Sequence, residues 1–305
     1  MSAGNLKILV TGQSGILGSD LVPRLDGKNE VTAISRNPRH NLKLTSTTKL
    51  SLDITHFDKL QKLLGESTFD VIINCAALTD VDRCETDRES ARKVNAEAVG
   101  LLANHCARTG SLLIHISTDY IFDGRAGPYS EDSTPTPINY YGVTKFQAEE
   151  AIKSSECRHI IARTSFLFGL SADGGSRVLR WILNSHRERK KINAAGDQFS
   201  NPAYSANLAD AIVELMEMNF RGIINVAGAD YLSRYEFIMM AAKVFCLDKS
   251  LIKRVSFDQA GLAAPRPLRA GLKIDLMKKM LKTRPMDVKD GLMMLRQQLK
   301  TAGAS

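Results

Sequence analysis

Tyr141 and Lys145 stand four apart in Tyr141-Gly142-Val143-Thr144-Lys145, a spacing that puts both side chains on one face of a helix. Hydride reduction of a carbonyl builds negative charge on oxygen, and a nearby acid must supply a proton. A tyrosine with an ordinary pKa of about 10 needs help to do so at neutral pH; an adjacent ammonium lowers it. Tyr140 has the wrong phase to share that face. Upstream, a hydrophobic run at 112–116 ends in Ser117-Thr118-Asp119-Tyr120. Ligands of open α/β sheets bind at the carboxyl ends of strands, so Thr118 is the first choice for polarising the carbonyl and Ser117 the second.

These residues need a scaffold, and the first half of the chain has its rhythm. Short β-branched runs at 6–11, 31–35, 70–75, 111–117 and 159–164 alternate with helical periodicity at 16–25, 57–64, 89–107 and 141–153. Such alternation predicts an α/β protein, a doubly wound parallel sheet with helices on both faces. The second half is less regular. It predicts helices at 174–189, 206–218 and 233–245, the last with Ser233 as N-cap and Glu236 completing a capping box. A strand is expected at 222–227, and loops at 194–202 and 258–269. The division expected is a nucleotide-binding domain at 1–170 carrying the catalytic residues and a smaller, mainly substrate-binding α/β region at 171–305. That boundary is soft, because the chain can cross back to the sheet.

The first strand runs into Thr11-Gly12-Gln13-Ser14-Gly15-Ile16-Leu17-Gly18. Gly12 permits a tight turn, Gly15 lets the backbone approach a pyrophosphate, and Gly18 allows close helix–strand packing. The helix that follows offers free N–H groups and a positive dipole end to the anion. This is a Rossmann-type dinucleotide site, to which Gly12, Gln13, Ser14, Gly15, Ile16 and Leu17 are assigned. The second strand ends in Ser35-Arg36 with no carboxylate for a ribose 2′-hydroxyl. A guanidinium suits a 2′-phosphate, so the cofactor expected is NADP(H). Asp53, with Ile54 beside it, follows a short third strand and is placed to accept from an adenine amino group. Cys75, Ala76 and Ala77 end the next strand with small residues that leave room for the cofactor. Tyr141 and Lys145 complete the cofactor set, Lys145 as a ligand of the nicotinamide ribose.

Composition narrows the class. The chain has 305 residues, 44% hydrophobic and 24% charged, ordinary for a soluble globular protein. No run approaches the roughly 18–20 apolar residues that span a bilayer. The N-terminus lacks a basic n-region and cleavage signal, so the cytoplasm is expected, with no membrane partner. Five scattered cysteines without a CxxC pair suggest no disulfide framework. Six histidines without HExxH spacing suggest no catalytic metal. His115, inside an apolar run, reads as a core residue. The net charge of +8 comes from residues 251–305, with 12 Lys and Arg against 4 Asp and Glu. Solvated helix faces account for it, as does an anion-attracting rim; without interleaved aromatic residues it does not predict a nucleic-acid surface.

The ordered segments resemble the extended short-chain dehydrogenase/reductases, and within them the dTDP-4-dehydrorhamnose reductase family. They are TGQSGILG at 11–18, NCAALTDVDRCE at 74–85, VNAEAV at 94–99, ISTDYIFDG at 116–124, PINYYGVTK at 137–145, ARTSFLFG at 162–169, DQFSNPAYSANLAD at 197–210, GIINVAG at 222–228 and PRPLRAGL at 265–272. The resemblance implies a catalytic triad of Thr118, Tyr141 and Lys145. It implies substrate contacts at Asp80, Val81, Thr118, Gln198 and Pro202, with Arg266 near the nucleotide phosphates. It also implies NADPH-dependent reduction of the 4-keto group of a nucleotide-linked 6-deoxy sugar, and leaves a homodimer open. The chain departs from the family where Ser200-Asn201-Pro202-Ala203 replaces Gly-x-Pro-Thr, and where the element at 266–272 lacks its serine. Two other readings share these features: a non-catalytic NADP-binding subunit resembling the regulatory β subunit of methionine adenosyltransferase, and another sugar-nucleotide reductase or epimerase.

Overall fold

A computed structural model describes residues 5–38, 44–171, 177–261 and 263–301. Seven strands form one parallel sheet: β1 (Lys7–Thr11), β2 (Glu30–Ser35), β3 (Thr47–Ser51), β4 (Val71–Asn74), β5 (Leu112–Thr118), β6 (His159–Thr164) and β7 (Gly222–Asn225). Their spatial order is β7-β6-β5-β4-β1-β2-β3. The chain lays β2 and β3 on one side of β1 and then returns to lay β4 on the other. That reversal opens a crevice at the carboxyl ends of β1 and β4.

Strand side chains alternate between two apolar layers, as a period of two requires. Ile8, Val10, Ile114 and Ile160 enter one layer. There they meet α1 (Ile16–Leu25) and, much later in the chain, α8 (Ser205–Glu217), through Leu21, Leu25, Ile212 and Leu215. Leu9, Ile72, Leu113 and Ile161 enter the other layer. They meet α2 (Phe57–Glu66), α5 (Ala98–Thr109) and α6 (Tyr140–Ser154), through Leu60, Leu64, Leu102 and Ile152. With both faces covered, β4 is buried at every position.

The helix expected at 89–107 is broken up. After α3 (Val81–Thr86) come α4 (Arg88–Arg92), a π turn at Lys93–Glu97, and then α5. The wide turn carries Asn95, fully buried, whose side chain accepts from Leu78 N at 2.8 Å and donates to Thr144 Oγ1 at 3.1 Å. Periodicity does not register a single extra residue in a turn, and π bulges collect at functional sites.

In the second half, α7 (Arg177–Arg187) forms within the expected 174–189 span, of which 174–176 lie outside the described residues. α9 (Arg234–Val244) starts with the capping box of Ser233 and Glu236. Residues 194–202, expected as a loop, instead hold strand pieces: Ile192–Ala195 pairs in parallel with Ile252–Val255, and Phe199–Ser200 pairs antiparallel with Leu232–Ser233. These two- and four-residue pairings carry too little pattern to be read locally. A third apolar cluster joins Phe168, Ile182, Tyr204 and Phe237 with Val288, Leu292 and Leu295 of the helix at Val288–Thr301. β7 and α8 belong to the main sheet layers, although both lie beyond residue 171.

Candidate active site

The glycine turn leaves β1 as a cradle. Gly12 has φ +73°, and a Cβ there would stand 2.7 Å from Ala76 N. A Cβ on Gly18 would stand 2.3 Å from Gly12 O. Side chains at either position would fill the space between the β1 turn, the β4 turn and α1. Gly15 caps α1 without a side-chain hydrogen bond, and the first turn holds no acid. The helix end therefore offers bare N–H donors to an anion. At the end of β2, Arg36 is exposed beside Asp53, and the buried Ser35 hydroxyl has no hydrogen-bond partner. Burial pushes the Asp53 carboxyl up, but hydrogen bonds from Thr55 outweigh it and hold the group below its ordinary range. These residues fit a dinucleotide with a 2′-phosphate.

The assigned cofactor residues do not all offer side chains. Gln13 turns inward and donates to Ala33 O at 2.9 Å. Leu17 and Ile54 are buried in the two apolar layers, which leaves only their backbone to a ligand. Ser14, Ile16, Cys75, Ala76 and Ala77 are half-buried around the crevice.

Helix α6 brings the catalytic candidates together. Asn139 caps it by accepting from Gly142 N at 2.8 Å, and donates to Pro265 O at 3.0 Å. Gly142 lies directly against the turn after β5, where a Cβ would stand 2.1 Å from Tyr120 O. That approach sets Tyr141 beside Thr118, whose hydroxyl donates to Asp119 Oδ1 at 3.3 Å and accepts from Tyr120 N at 3.2 Å. Burial pushes the Tyr141 phenol above its ordinary range, while the neighbouring Thr118 hydroxyl pulls it partly back.

Ser117 is unavailable. Its hydroxyl donates to Glu149 Oε1 at 2.5 Å, and Arg163 holds both oxygens of the same carboxylate at 3.0 and 2.7 Å. This ion pair is almost completely buried. The choice between the two hydroxyls therefore falls on Thr118. Lys145 does not turn toward the phenol. Its Nζ donates to Ile116 O at 2.7 Å and lies 2.9 Å from His115 Nε2. Burial lowers its pKa to about 7. The expected arrangement, an ammonium depressing the tyrosine by contact, is thus absent here.

The second half closes the site from above. Gln198 donates to the Tyr120 hydroxyl at 3.3 Å. Asp80 caps α3 by accepting from Arg83 N, Val81 packs near Tyr141, and Pro202 is buried. Arg266 forks onto Asp82 at 2.7 and 2.9 Å, so a phosphate there has to compete with a carboxylate. That bond holds Asp82 down to about 2, and Ala264 N donates to the same carboxylate. Gly271 N donates to Asp119 Oδ2 at 3.1 Å, and Ser165 donates to the same atom at 2.6 Å. Among the described residues no three His, Cys, Asp or Glu cluster as metal ligands, and no helix is long and apolar enough to cross a membrane.

The model of a family described as RmlD substrate binding domain matches residues 6–301. The chain belongs to the RmlD family. Among relatives of this RmlD-family chain is a probable low-salt glycan biosynthesis reductase of Haloferax volcanii, 33% identical over 87% of this chain and 89% of that protein. A dTDP-4-dehydrorhamnose reductase of Burkholderia thailandensis is 33% identical over 71% of this chain and 67% of its own length. In three dimensions, the chain resembles a dTDP-4-dehydrorhamnose reductase of Bacillus anthracis solved with NADP. The TM-score is 0.85 at 26% identity, over 96% of this chain and 99% of that one.

Several site residues of this RmlD-family chain escaped sequence reasoning. Asp119 adjoins Thr118, but a buried carboxylate is recognised by its partners, and these come from Ser165 and Gly271, far along the chain. Arg234 stacks 3.8 Å over the Phe166 ring with its Nη1 buried and unpartnered. His115, expected as a core residue, is fully buried, but polar at both ring nitrogens.

Proposed function

We propose that this chain, an oxidoreductase of the RmlD family, uses NADPH to reduce the 4-keto group of a nucleotide-linked 6-deoxy sugar of the dTDP-4-dehydrorhamnose type. The Thr118–Tyr141 hydroxyl pair carries the reading: it sits at the carboxyl end of β5, beside the β1–β4 crevice that the glycine turn keeps open.

NADPH, when bound, supplies the hydride. The chain's residues do the rest. The α1 N-terminus holds the pyrophosphate and Arg36 the 2′-phosphate. Thr118 donates a hydrogen bond to the substrate carbonyl oxygen, and Tyr141 gives that oxygen its proton. Lys145 reaches the nicotinamide ribose after leaving its partners on β5. Gln198 and Tyr120 line the sugar side, and Arg266 exchanges Asp82 for the nucleotide phosphates. Residues 1–170 carry the cofactor and residues 171–305 most of the substrate contacts. The relatives' names and the NADP bound to the Bacillus anthracis protein support this assignment.

The test is NADPH consumption with a panel of nucleotide-linked 4-keto sugars. Oxidation is expected with at least one member. No oxidation with any of them, together with co-purification of a methionine adenosyltransferase catalytic subunit, would overturn the reading.

A further inference from the structure

A chain of buried polar groups runs behind the catalytic residues, and its donors and acceptors can be counted. Ala76 N donates to Thr11 Oγ1 at 3.2 Å. The Thr11 hydroxyl keeps its own proton to give, and Asn74 Oδ1 receives it at 2.5 Å. This orientation of the Asn74 amide gives the buried Thr11 proton its acceptor. Its nitrogen then faces His115 Nδ1 at 3.0 Å. An amide nitrogen only donates, so Nδ1 accepts, and a neutral imidazole that accepts at Nδ1 carries its proton on Nε2. That Nε2–H faces Lys145 Nζ at 2.9 Å. An ammonium has three donors and no acceptor; only the lone pair of an uncharged amine completes the contact. The amine's own hydrogens remain for Ile116 O.

We infer that in the cofactor-free protein Lys145 is an uncharged amine held by the Nε2–H of His115, and that His115 is a positioning residue that decides when this lysine becomes an ammonium. The inference deepens the proposed reductase site and rests on that reading for its catalytic meaning. The surroundings agree. Burial lowers Lys145 to about 7, and burial puts His115 well below its ordinary value. Glu149, one turn on along α6, favours the charged lysine but gives its oxygens to Arg163 of β6 and Ser117 of β5. Cys75, after β4, is pushed up to about 12 by burial and faces the lysine as a neutral thiol. Tyr141, on the same helix, is likewise held neutral by burial. When the amine leaves His115 for a ribose hydroxyl of the cofactor it takes a proton from solvent, so above about pH 7 cofactor binding takes up a proton.

The experiment is nitrogen-15 and carbon-13 NMR on cofactor-free protein labelled at histidine and lysine, at about pH 9. His115→Gln and Lys145→Met assign the signals. The expected spectrum shows His115 as the Nε2–H tautomer and one lysine nitrogen as a neutral amine. An Nδ1–H tautomer, or an ammonium at Lys145 under those conditions, would overturn the inference. Asn74→Asp supplies a second reading. It sets an acceptor against Nδ1, so His115 should change tautomer and the Lys145 midpoint should rise by about two pH units or more. A folded Asn74→Asp protein with the tautomer unchanged also overturns it; if that variant does not fold, the parent spectrum decides. No substrate enters these measurements, so they stand or fall separately from the assay of reductase activity.

Discussion

Tyr141 is the residue on which the proposed chemistry depends most directly. Its phenol lies beside Thr118 and is pushed up by burial, the state of an acid that holds its proton until charge develops on a neighbouring oxygen. Tyr141→Phe should lower turnover by about 10²–10⁴ while NADPH affinity, titrated by fluorescence, is kept. Unchanged turnover would remove Tyr141 from the mechanism. Arg36 is proposed to set the cofactor preference. It is exposed at the end of β2 with Asp53 nearby, and a charged contact to phosphate contributes about 1.5–3 kcal/mol. Arg36→Ala should therefore narrow the preference for NADPH over NADH by about tenfold or more; equal affinities in the parent protein would discard the assignment. At this scale the placement of Tyr141 and Lys145 on one helix was readable from their spacing. The orientation of Lys145 was not readable, because that depends on His115, thirty residues earlier on a different element.

At the scale of elements, the position of α6 rests on a glycine. Gly142 lets the helix lie against Tyr120 O, where a Cβ would stand 2.1 Å away. Backbone cannot yield as a flexible side chain does, so Gly142→Ala should push α6 outward. Overpacking of this kind costs about 1–3 kcal/mol, measurable as a lower urea midpoint. Turnover should fall further than that loss explains, because Tyr141 moves with the helix. A crystal structure of the variant with α6 unmoved would contradict this account. The parallel strands and the glycine turn were legible because two-sided burial leaves continuous apolar runs and the turn needs particular glycines. The π turn at Lys93–Glu97 and the short pairings around Ile192–Ala195 were not, since neither disturbs the local apolar period enough to be seen.

For the whole molecule, buried bases set the dependence of stability on pH. Lys145 has a folded pKa of about 7 against an ordinary value of 10.5, so between these limits the unfolded chain binds more protons than the native one. Stability then rises with pH. Above about pH 9 the trend reverses, because Cys75, Cys84 and Cys106, pushed up to about 12 by burial, keep protons that the unfolded chain releases. The cofactor-free protein should therefore gain thermal stability between about pH 7 and 9, and Lys145→Met should flatten that slope; an equal slope in the variant would move its origin elsewhere. The same scale shows where the site is completed. Pro265 O receives the capping residue of α6, Ala264 and Arg266 hold Asp82, and Gly271 N holds Asp119. All of these come from the last fifth of the chain. During synthesis the ribosome delivers β1 to β7 first, and domains fold as they emerge. A nascent chain that stopped near residue 260 would already hold all seven central strands but would lack every one of these ties to the catalytic helix and its neighbours. Premature release thus yields a species that has the strands of its whole sheet without a finished active site, and only translation past residue 271 sets the catalytic groups in place.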